Sequence, residues 1–365
     1  MKNLLLKVAS KEAIDKKVEK VFEILFGQDS PERLYFEEED KAYIVDTGND
    51  DVRTEGMSYG MMIALQLDKP EIFSRLWKWV KSYMTLPTGH ENEGYFIWSC
   101  GLDGHPNSDG PAPDGEEYFA AALLLAEKRW KIKGYGDEAR TLLHAMVHKG
   151  ENQDGFPMFE PKNTYIKFVA NRQMTDPSYH LPHFYQLYAK YGNPEDSAFF
   201  LKAEEEARKY WLKSANAKTG LTPEYADYDG TPHKGHQEIF GRHDWYYSDA
   251  YRTIANIGLD YEWFGVDSWQ VENANHLQKF YCEDQKLHWD GVFLTDGTRL
   301  EEKALHPVAI IATNAQASLA ANGPYAKECV EKFWNTPLRT GDRRYYDNFL
   351  YMFSMLALSG NYRIY

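Results

Sequence analysis

Glu55 stands in the segment DVRTEGMSYGMMIALQL, just ahead of a run of apolar residues at three- and four-residue steps. Ser58 is a typical N-cap, so the sequence places Glu55 immediately outside a first helical turn, where a pocket can form. Glu55 could donate a proton there if burial or neighbouring acids raise its pKa. Alternatively, it only complements the helix dipole.

A second carboxylate, Asp249, stands in the segment WYYSDAYR. Ser248 is a possible cap, and Arg252, one turn later, would favour the ionised carboxylate that a general base requires. One protonated and one ionised carboxyl group are the minimum equipment for cleaving a glycosidic bond. The alternative is a capping aspartate in an ordinary i, i+3 ion pair.

Two further residues could assist these carboxylates. Asp114, in PAPDGEEYF, could raise the pKa of Glu55 and bind a sugar ring, or it could simply start a helix with Glu116 or Glu117 as its capping-box partner. Tyr179, in DPSYHLPHFY, could donate to a water held by Asp249, or it could be a buried tyrosine whose hydroxyl is satisfied elsewhere.

Histidine pairs at three-residue spacing raise the possibility of a metal: His180 with His183, and His233 with His236. Pro182 interrupts a helical face for the first pair, and no carboxylate or cysteine completes either pair at a familiar spacing. The sequence also lacks nucleotide-binding and phosphate-loop motifs. We therefore expect neither a metal nor a cofactor.

The composition excludes several classes of protein. Hydrophobic residues make up 43% of the chain and charged residues 26%, and the net charge of -14 argues against nucleic-acid or anionic-membrane partners. The abundance of tyrosine (26) and tryptophan (10) suits sugar stacking, with Trp98, Trp245 and Tyr346 as candidates. Neither a disulfide framework nor a zinc site is predicted from three cysteines without C-x-x-C spacing, namely Cys100, Cys282 and Cys329.

The start of the chain has no apolar run of the roughly 7–15 residues that a secretory signal needs, and no segment approaches the ~18 needed to span a bilayer. We therefore expect a cytoplasmic protein with no membrane partner and no obligate protein partner.

The elements that must position these residues are helices, because strand signals are weak. Apolar periodicity predicts twelve of them, near 11–27, 58–68, 71–84, 115–130, 135–148, 176–191, 195–213, 249–260, 266–282, 306–321, 323–335 and 345–358. Short and long connections alternate, which suggests six helical hairpins. The predicted fold is all-α, an (α/α)6 barrel forming a single domain over residues 1–365.

The unusual polar residues all fall at the starts of even-numbered helices. If the even helices form one parallel ring, these starts converge on one mouth of the barrel. The residues concerned are Glu55, Asp114, Asp176, Tyr179, Asp249, His306, Tyr345, Tyr346 and Asp347.

Taken together, the motifs around Glu55, Asp114, Tyr179 and Asp249 resemble those of glycoside hydrolase family 8. The likeness continues through L-H-P, F-W-N-T-P and R-R-Y-Y-D-N-F-L-Y, and so covers nearly the whole chain. It implies an (α/α)6 barrel that cleaves β-1,4-linked glycans with inversion. This agrees with the helix count.

The resemblance also implies roles for individual residues. Glu55 would be the general acid, Asp249 the general base on the attacking water, and Tyr179 a holder of that water. The two carboxyl groups should then stand about 6.5–9.5 Å apart. Residues predicted to bind substrate are Asp114 at the cleavage point, together with His306, Arg252, Trp98 and Tyr346.

Within the family, the chain resembles most the intracellular enzymes that release xylose from the reducing end of short xylo-oligosaccharides. In these enzymes a Leu-His-Pro kink closes the leaving-group side, and Leu305, His306 and Pro307 match it. Pro307 would fix the helix start, and His306 could bond the reducing-end hydroxyl. The stretch 233–245 is longer than expected and could reshape the groove on the other side.

Three rival functions remain compatible with the sequence. The nearest is an endo-acting β-1,4-xylanase, glucanase or chitosanase of the same family. The others are a non-catalytic oligosaccharide-binding protein with an aromatic groove, and a helical scaffold whose polar helix starts are only caps.

Overall fold

Helices dominate the chain. In a computed structural model that describes residues 1–235 and 241–365, a helix lies on each of the twelve predicted segments. Their bounds are α1 Lys11–Phe26, α2 Thr54–Gln66, α3 Pro70–Trp79, α4 Pro113–Trp130, α5 Lys133–His148, α6 Pro182–Tyr191, α7 Ser197–Ser214, α8 Tyr251–Phe264, α9 Trp269–Lys279, α10 Pro307–Gln316, α11 Ala326–Asn335 and α12 Arg344–Leu358.

Burial alternates along the helix order. Every residue of α2 except Glu55 is buried, and so is every residue of α12 except Arg344. By contrast, α3 buries one face, formed by Phe73, Leu76, Trp77 and Trp79. The difference follows from sequence, because α2 and α12 carry mostly apolar residues around the whole helix whereas α3 is amphipathic. No helix in the described part of the chain is long and apolar enough to cross a membrane.

The backbone at the helix starts differs from the prediction at two serines. Helix α2 begins at Thr54, so Ser58 is not its cap, and the Ser58 hydroxyl donates instead to the Glu55 carbonyl at 3.0 Å. Glu55 therefore lies inside the first turn. Ser248 makes no side-chain cap hydrogen bond either, and it has a φ of 35°, which is strained for a residue with a Cβ.

Proline and short 3₁₀ turns define other helix starts. Pro70, Pro113 and Pro307 occupy the first turns of α3, α4 and α10, where a missing N–H is harmless. The 3₁₀ turn Pro177–Tyr179 ends shortly before α6, and the 3₁₀ turn Ser248–Ala250 comes directly before α8. The candidate residues Tyr179 and Asp249 thus lie in these turns rather than in regular helix.

Seven short strands form three antiparallel sheets in the described residues. Two are two-stranded, pairing β1 Tyr35–Glu38 with β2 Lys41–Ile44 and β3 Val52–Arg53 with β4 Ser99–Cys100. The third has the order β5-β6-β7, from Trp245–Tyr246, Gly291–Leu294 and Arg299–Lys303. Strand β3 leads into α2, and β5 ends three residues before Asp249.

The chain divides into two compact units, each built from separated stretches. The first unit comprises Met1–Val21, Gln173–His183 and Glu205–Tyr362, and in it α10 packs against α8, α11 and α12. The second unit comprises Phe22–Arg172, Phe184–Glu204 and Arg363–Tyr365, and in it α4 packs against α2 and α5. A single domain over 1–365 stays a prediction.

Candidate active site

The start of α2, in the second unit, is held by strand contacts. The Thr54 N–H donates to the Trp98 carbonyl at 3.0 Å, which continues the β3–β4 pairing up to the helix. Arg53 Nε lies 2.9 Å from Asp51 Oδ1, and the Arg53 guanidinium stands 5.3 Å from the centre of the Trp98 ring. Glu55 therefore projects from a rigid approach and is partly exposed.

The start of α4 approaches the start of α2 closely. A Cβ on Gly115 would lie 2.5 Å from Thr54 Cβ, so only glycine permits this packing. The neighbouring residue Asp114 is buried, and its Oδ1 accepts the Gly115 N–H at 2.9 Å. The second unit thus brings Asp114 to the helix start that carries Glu55.

Glu116 and Glu117 do not act as capping-box partners of Asp114. Glu116 Oε1 accepts the Phe96 N–H at 3.0 Å, and Glu117 Oε1 accepts the Tyr185 hydroxyl at 2.7 Å. Both side chains are fully buried, and burial raises the pKa of Glu116 to about 8. A buried, largely protonated acid therefore lies two residues from Asp114.

In the first unit, Arg252 links several of the predicted residues. Its Nη2 atom lies 3.0 Å from Asp249 Oδ1 and 3.7 Å from Asp176 Oδ2. Its guanidinium carbon stands 5.4 Å from the centre of the Tyr179 ring and 5.9 Å from that of Tyr346. The i, i+3 ion pair with Asp249 exists, but Arg252 also contacts residues at the starts of α6 and α12.

Two residues near Asp249 escaped the sequence analysis. The Tyr225 hydroxyl lies 3.5 Å from Asp249 Oδ2, and Glu224 is buried and accepts the backbone N–H of Arg242. Gly241, with a φ of 104°, makes room, since a Cβ there would lie 2.6 Å from Glu224 Oε2. The long loop that carries both residues shows no periodicity, so the sequence offered no signal for them.

The environment of the acids around Asp249 favours their protonated forms. Burial raises the pKa of Asp176 well above its ordinary value, the charge of Asp249 raises it further, and Arg252 opposes both effects. The pKa of Glu224 is also well above its ordinary value, first through burial and then through Asp249. The arrangement around Asp249 can therefore hold protons close to a partly exposed carboxylate.

His306 is fixed by a buried carboxylate. Its Nδ1 lies 3.0 Å from Asp347 Oδ2, which also accepts from Arg339 Nη1 at 2.7 Å. The His306 ring meets the Tyr346 ring edge-on at 4.9 Å, and the Tyr346 hydroxyl donates to the Ser248 carbonyl at 2.8 Å. The starts of α8, α10 and α12 are thereby joined.

The structure places every predicted site residue at or near a helix start. Tyr179, Asp249, Arg252, His306 and Tyr346 come together in the first unit, through the contacts given above. The convergence of all six even helix starts on one mouth stays a prediction. Trp98 is 36% exposed, which suits a stacking surface, whereas Tyr346 is 6% exposed. The part of the 233–245 stretch at 236–240 lies outside the described residues.

Both members of the first histidine pair and one member of the second lie within the described residues. His180 Nε2 lies 2.9 Å from Thr175 Oγ1, and the His180 ring stacks on Tyr210 at 4.3 Å. Burial lowers the pKa of His180 to about 3 and that of His183 to about 4, so both are neutral side chains of the core. His233 Nδ1 lies 2.7 Å from Asp227 Oδ1, whereas His236 is outside the described residues.

The chain is similar to known proteins over almost its whole length. Residues 35–360 match the sequence pattern of Glycosyl hydrolases family 8. A reducing end xylose-releasing exo-oligoxylanase from Halalkalibacterium halodurans is 50% identical over 364 residues, which cover 97% of this chain and 92% of that relative.

Solved structures agree over the full length. Rex8A from Paenibacillus barcinonensis, complexed with xylose, matches with a TM-score of 0.95 and 48% identity over 100% of this chain and 97% of its own. A Rex8A variant complexed with an arabinofuranosyl-xylotetraose matches equally well, with a TM-score of 0.95 and 48% identity over 100% of this chain and 96% of its own. The predicted fold class, an (α/α)6 barrel, is confirmed by this similarity.

Proposed function

The chain belongs to glycoside hydrolase family 8, and from this membership we propose that it releases xylose from the reducing end of short β-1,4-linked xylo-oligosaccharides. The family hydrolyses glycosidic bonds with inversion. The observation that carries the proposal is the 50% identity, over almost the whole of both chains, to a relative with that named activity.

We assign the general acid to Glu55. In the first turn of α2 it is the residue of that helix that is not buried, so its carboxyl group can reach a bound sugar. Glu55 donates its proton to the glycosidic oxygen as the bond to the departing xylose breaks. The xylose leaves with a neutral hydroxyl group, and Glu55 is left ionised.

We assign the general base to Asp249. It accepts a proton from a water whose oxygen attacks the anomeric carbon from the side opposite the leaving group, which gives the α-anomer. The Tyr179 hydroxyl helps to hold that water. Arg252, predicted as a binding residue, fixes the base instead, because its Nη2 lies 3.0 Å from Asp249 Oδ1.

Different residues recognise the sugar ring at the cleavage point and the reducing end. Asp114 binds the ring at the cleavage point, and Trp98, being exposed, offers a stacking face. His306 recognises the reducing end. Because the Asp347 carboxylate accepts from His306 Nδ1, Nε2 is the nitrogen that can accept from a sugar hydroxyl.

Xylotriose and its reduced form, xylotriitol, test this proposal. Products and anomers are followed by proton NMR. We expect xylose and xylobiose from xylotriose, with the new end appearing first as the α-anomer, and no cleavage of xylotriitol. Equal cleavage of both sugars would favour the endo-acting alternative, and saturable binding without cleavage would favour a binding protein.

His306→Ala refines the same experiment. Loss of the hydrogen bond to the reducing end should lower kcat/KM on xylotriose by about 10–100-fold, as loss of one buried polar contact does. His288→Ala, at an exposed histidine, is the control and should leave kcat/KM unchanged. A His306→Ala variant with full activity and unchanged discrimination would remove the role given to His306.

We also propose a cytoplasmic location, because short oligosaccharides can enter cells whereas xylan cannot. Fractionation of the producing cells tests it: activity on xylotriose should follow a cytoplasmic marker enzyme. Activity recovered mainly from the medium would contradict this location.

A further inference from the structure

A second cluster of functional side chains lies on α5, in the second unit. His144 and His148 are one helical turn apart, and Asp196 lies in the 3₁₀ turn Pro194–Asp196 ahead of α7. One nitrogen from each histidine and one oxygen of Asp196 all lie within 4.8 Å of one another. None of these residues belongs to the proposed hydrolase machinery.

The geometry of the cluster is close to that of a metal site. His148 Nε2 lies 2.6 Å from Asp196 Oδ1, and the centres of the two imidazole rings are 4.6 Å apart at an angle of 35°. Donors on a tetrahedral zinc ion, at about 2.0–2.1 Å, stand roughly 3.3 Å from one another. Small side-chain rotations would therefore bring all three donors to coordination distance.

Neighbouring residues already orient two of the three donors. Glu151 Oε1 lies 2.9 Å from His148 Nδ1, so that nitrogen donates outward and Nε2 points to Asp196. Asn193 Nδ2 lies 3.4 Å from Asp196 Oδ2 and 2.9 Å from the carbonyl of Arg140 on α5. A carboxylate behind a ligating histidine is the usual outer partner in metal centres.

An ion pair alone does not explain the cluster. His148 and Asp196 alone would suffice for an ion pair. The Asp196 side chain is 3% exposed and already has His148 as its partner. His144 adds a second imidazole on the same helix face, and it is exposed, so an ion can enter from solvent. Two imidazoles at i, i+4 with a carboxylate match the donor preference of divalent transition metals and not of calcium or magnesium.

We propose that His144, His148 and Asp196 bind a divalent transition-metal ion such as zinc. The ion would be held by two imidazole nitrogens and one carboxylate oxygen, with a fourth position open to water. It would fasten the C-terminal turn of α5 to the turn ahead of α7. Its binding would therefore stabilise the folded chain by mass action, independently of hydrolysis.

Titration calorimetry with zinc chloride on the chelator-treated full-length protein tests the proposal. The background is Cys282→Ser, because the Cys282 and Cys329 sulfurs lie 3.7 Å apart and could also bind zinc. We expect one equivalent of zinc per chain, at least tenfold weaker binding in His144→Ala, and unchanged binding in the control His288→Ala. A cobalt(II) spectrum with nitrogen and oxygen ligation should be lost in parallel.

Glu151→Gln provides a second, milder test, because it replaces the outer partner with an amide of the same shape. It should weaken zinc binding by about 10–100-fold while xylotriose hydrolysis is unchanged. The proposal is overturned if the parent protein shows no saturable binding, or if His144→Ala binds zinc as the parent does. Neither result would bear on the hydrolase assignment.

Discussion

The two carboxylates proposed for catalysis lie in unlike surroundings. Glu55 is the second residue of a regular helix, and strand contacts hold the backbone before it. Asp249 lies in a 3₁₀ turn directly after Ser248, whose φ is 35°. The proposed acid therefore stands on regular structure, whereas the proposed base follows a residue with a strained backbone, and such strain is common at functional sites.

The charges around the two carboxylates differ as well. Near the start of α4, one buried acid, Glu116, has its pKa raised to about 8 by burial. Around Asp249 there are two such acids, Asp176 and Glu224, and one guanidinium, that of Arg252, that opposes the shift at Asp176. The surroundings of the proposed base are therefore an electrostatically coupled group.

The largest effect is expected from neutralising each carboxylate separately. Glu55→Gln and Asp249→Asn should each lower kcat on xylotriose by about 10²–10⁴-fold, because each removes one proton transfer. Their behaviour should differ on the β-fluoride of xylobiose, whose leaving group needs little protonation. Glu55→Gln should recover most activity there and Asp249→Asn should not.

That comparison rests on rates of fluoride release, with the unsubstituted enzyme as the reference. Recovery in Asp249→Asn but not in Glu55→Gln would reverse the two assignments. Equal losses on both substrates would show that the carboxylates do not have separate roles.

The next largest effect is expected in the pH dependence of stability, and it comes from Glu116. Its folded-state pKa, about 8, exceeds the ordinary value of 4.5, so its contribution to stability is full below pH 4.5 and is lost as the pH rises through 8. The loss amounts to roughly 4–5 kcal/mol of unfolding free energy at most. Between pH 5 and 8, Tm should fall more steeply in the parent protein than in Glu116→Gln, as measured by calorimetry. Parallel curves would mean that Glu116 ionises normally.

An intermediate effect is expected at Arg252. Arg252→Met should lower kcat about 100-fold and move the acid limb of the pH–rate profile to higher pH, because the guanidinium favours the ionised form of Asp176. Arg252→Lys keeps the charge but loses the planar geometry. It should therefore restore the position of the acid limb more fully than it restores kcat. An unchanged limb in Arg252→Met would show that the acids around Asp249 are not coupled through this residue.

The smallest effect is expected at Glu224. Burial raises the pKa of Glu224 well above its ordinary value, which favours the protonated form, and the amide in Glu224→Gln resembles that form. The carbonyl oxygen can still accept the Arg242 N–H, and kcat at pH 7 should change by less than about threefold. Glu224→Ala, which loses that acceptor, is the contrasting variant. A loss of 100-fold in Glu224→Gln would mean that Glu224 works as an ion.

Helix periodicity located the helices, because buried and amphipathic helices carry continuous local patterns. The prediction of helix caps failed, because a serine near a helix start is compatible with more than one local structure. Ser58 looked like a cap, yet its hydroxyl bonds the Glu55 carbonyl and α2 starts four residues earlier. Ser248 looked like a cap and instead carries a strained backbone.

What the sequence could not show depends on contacts between distant residues. Glu224 and Tyr225 reach Asp249 because the adjacent residue, Ala226, bridges to Thr175, and a loop without periodicity gives no hint of that pairing. His144 and His148 stand four residues apart in the sequence, but Asp196 meets them only through folding. The distance between the Glu55 and Asp249 carboxyl groups stays a prediction.

The sheet formed by β5, β6 and β7 has a consequence for how the segments before Asp249 and His306 are placed relative to each other. Strand β5 ends three residues before Asp249, and β7 ends three residues before His306, so one sheet carries both the segment that leads to the proposed base and the segment that leads to the residue proposed to bind the reducing end. Because β5 and β7 both pair with β6, a change in strand register would move the segment before the proposed base relative to the segment that carries His306.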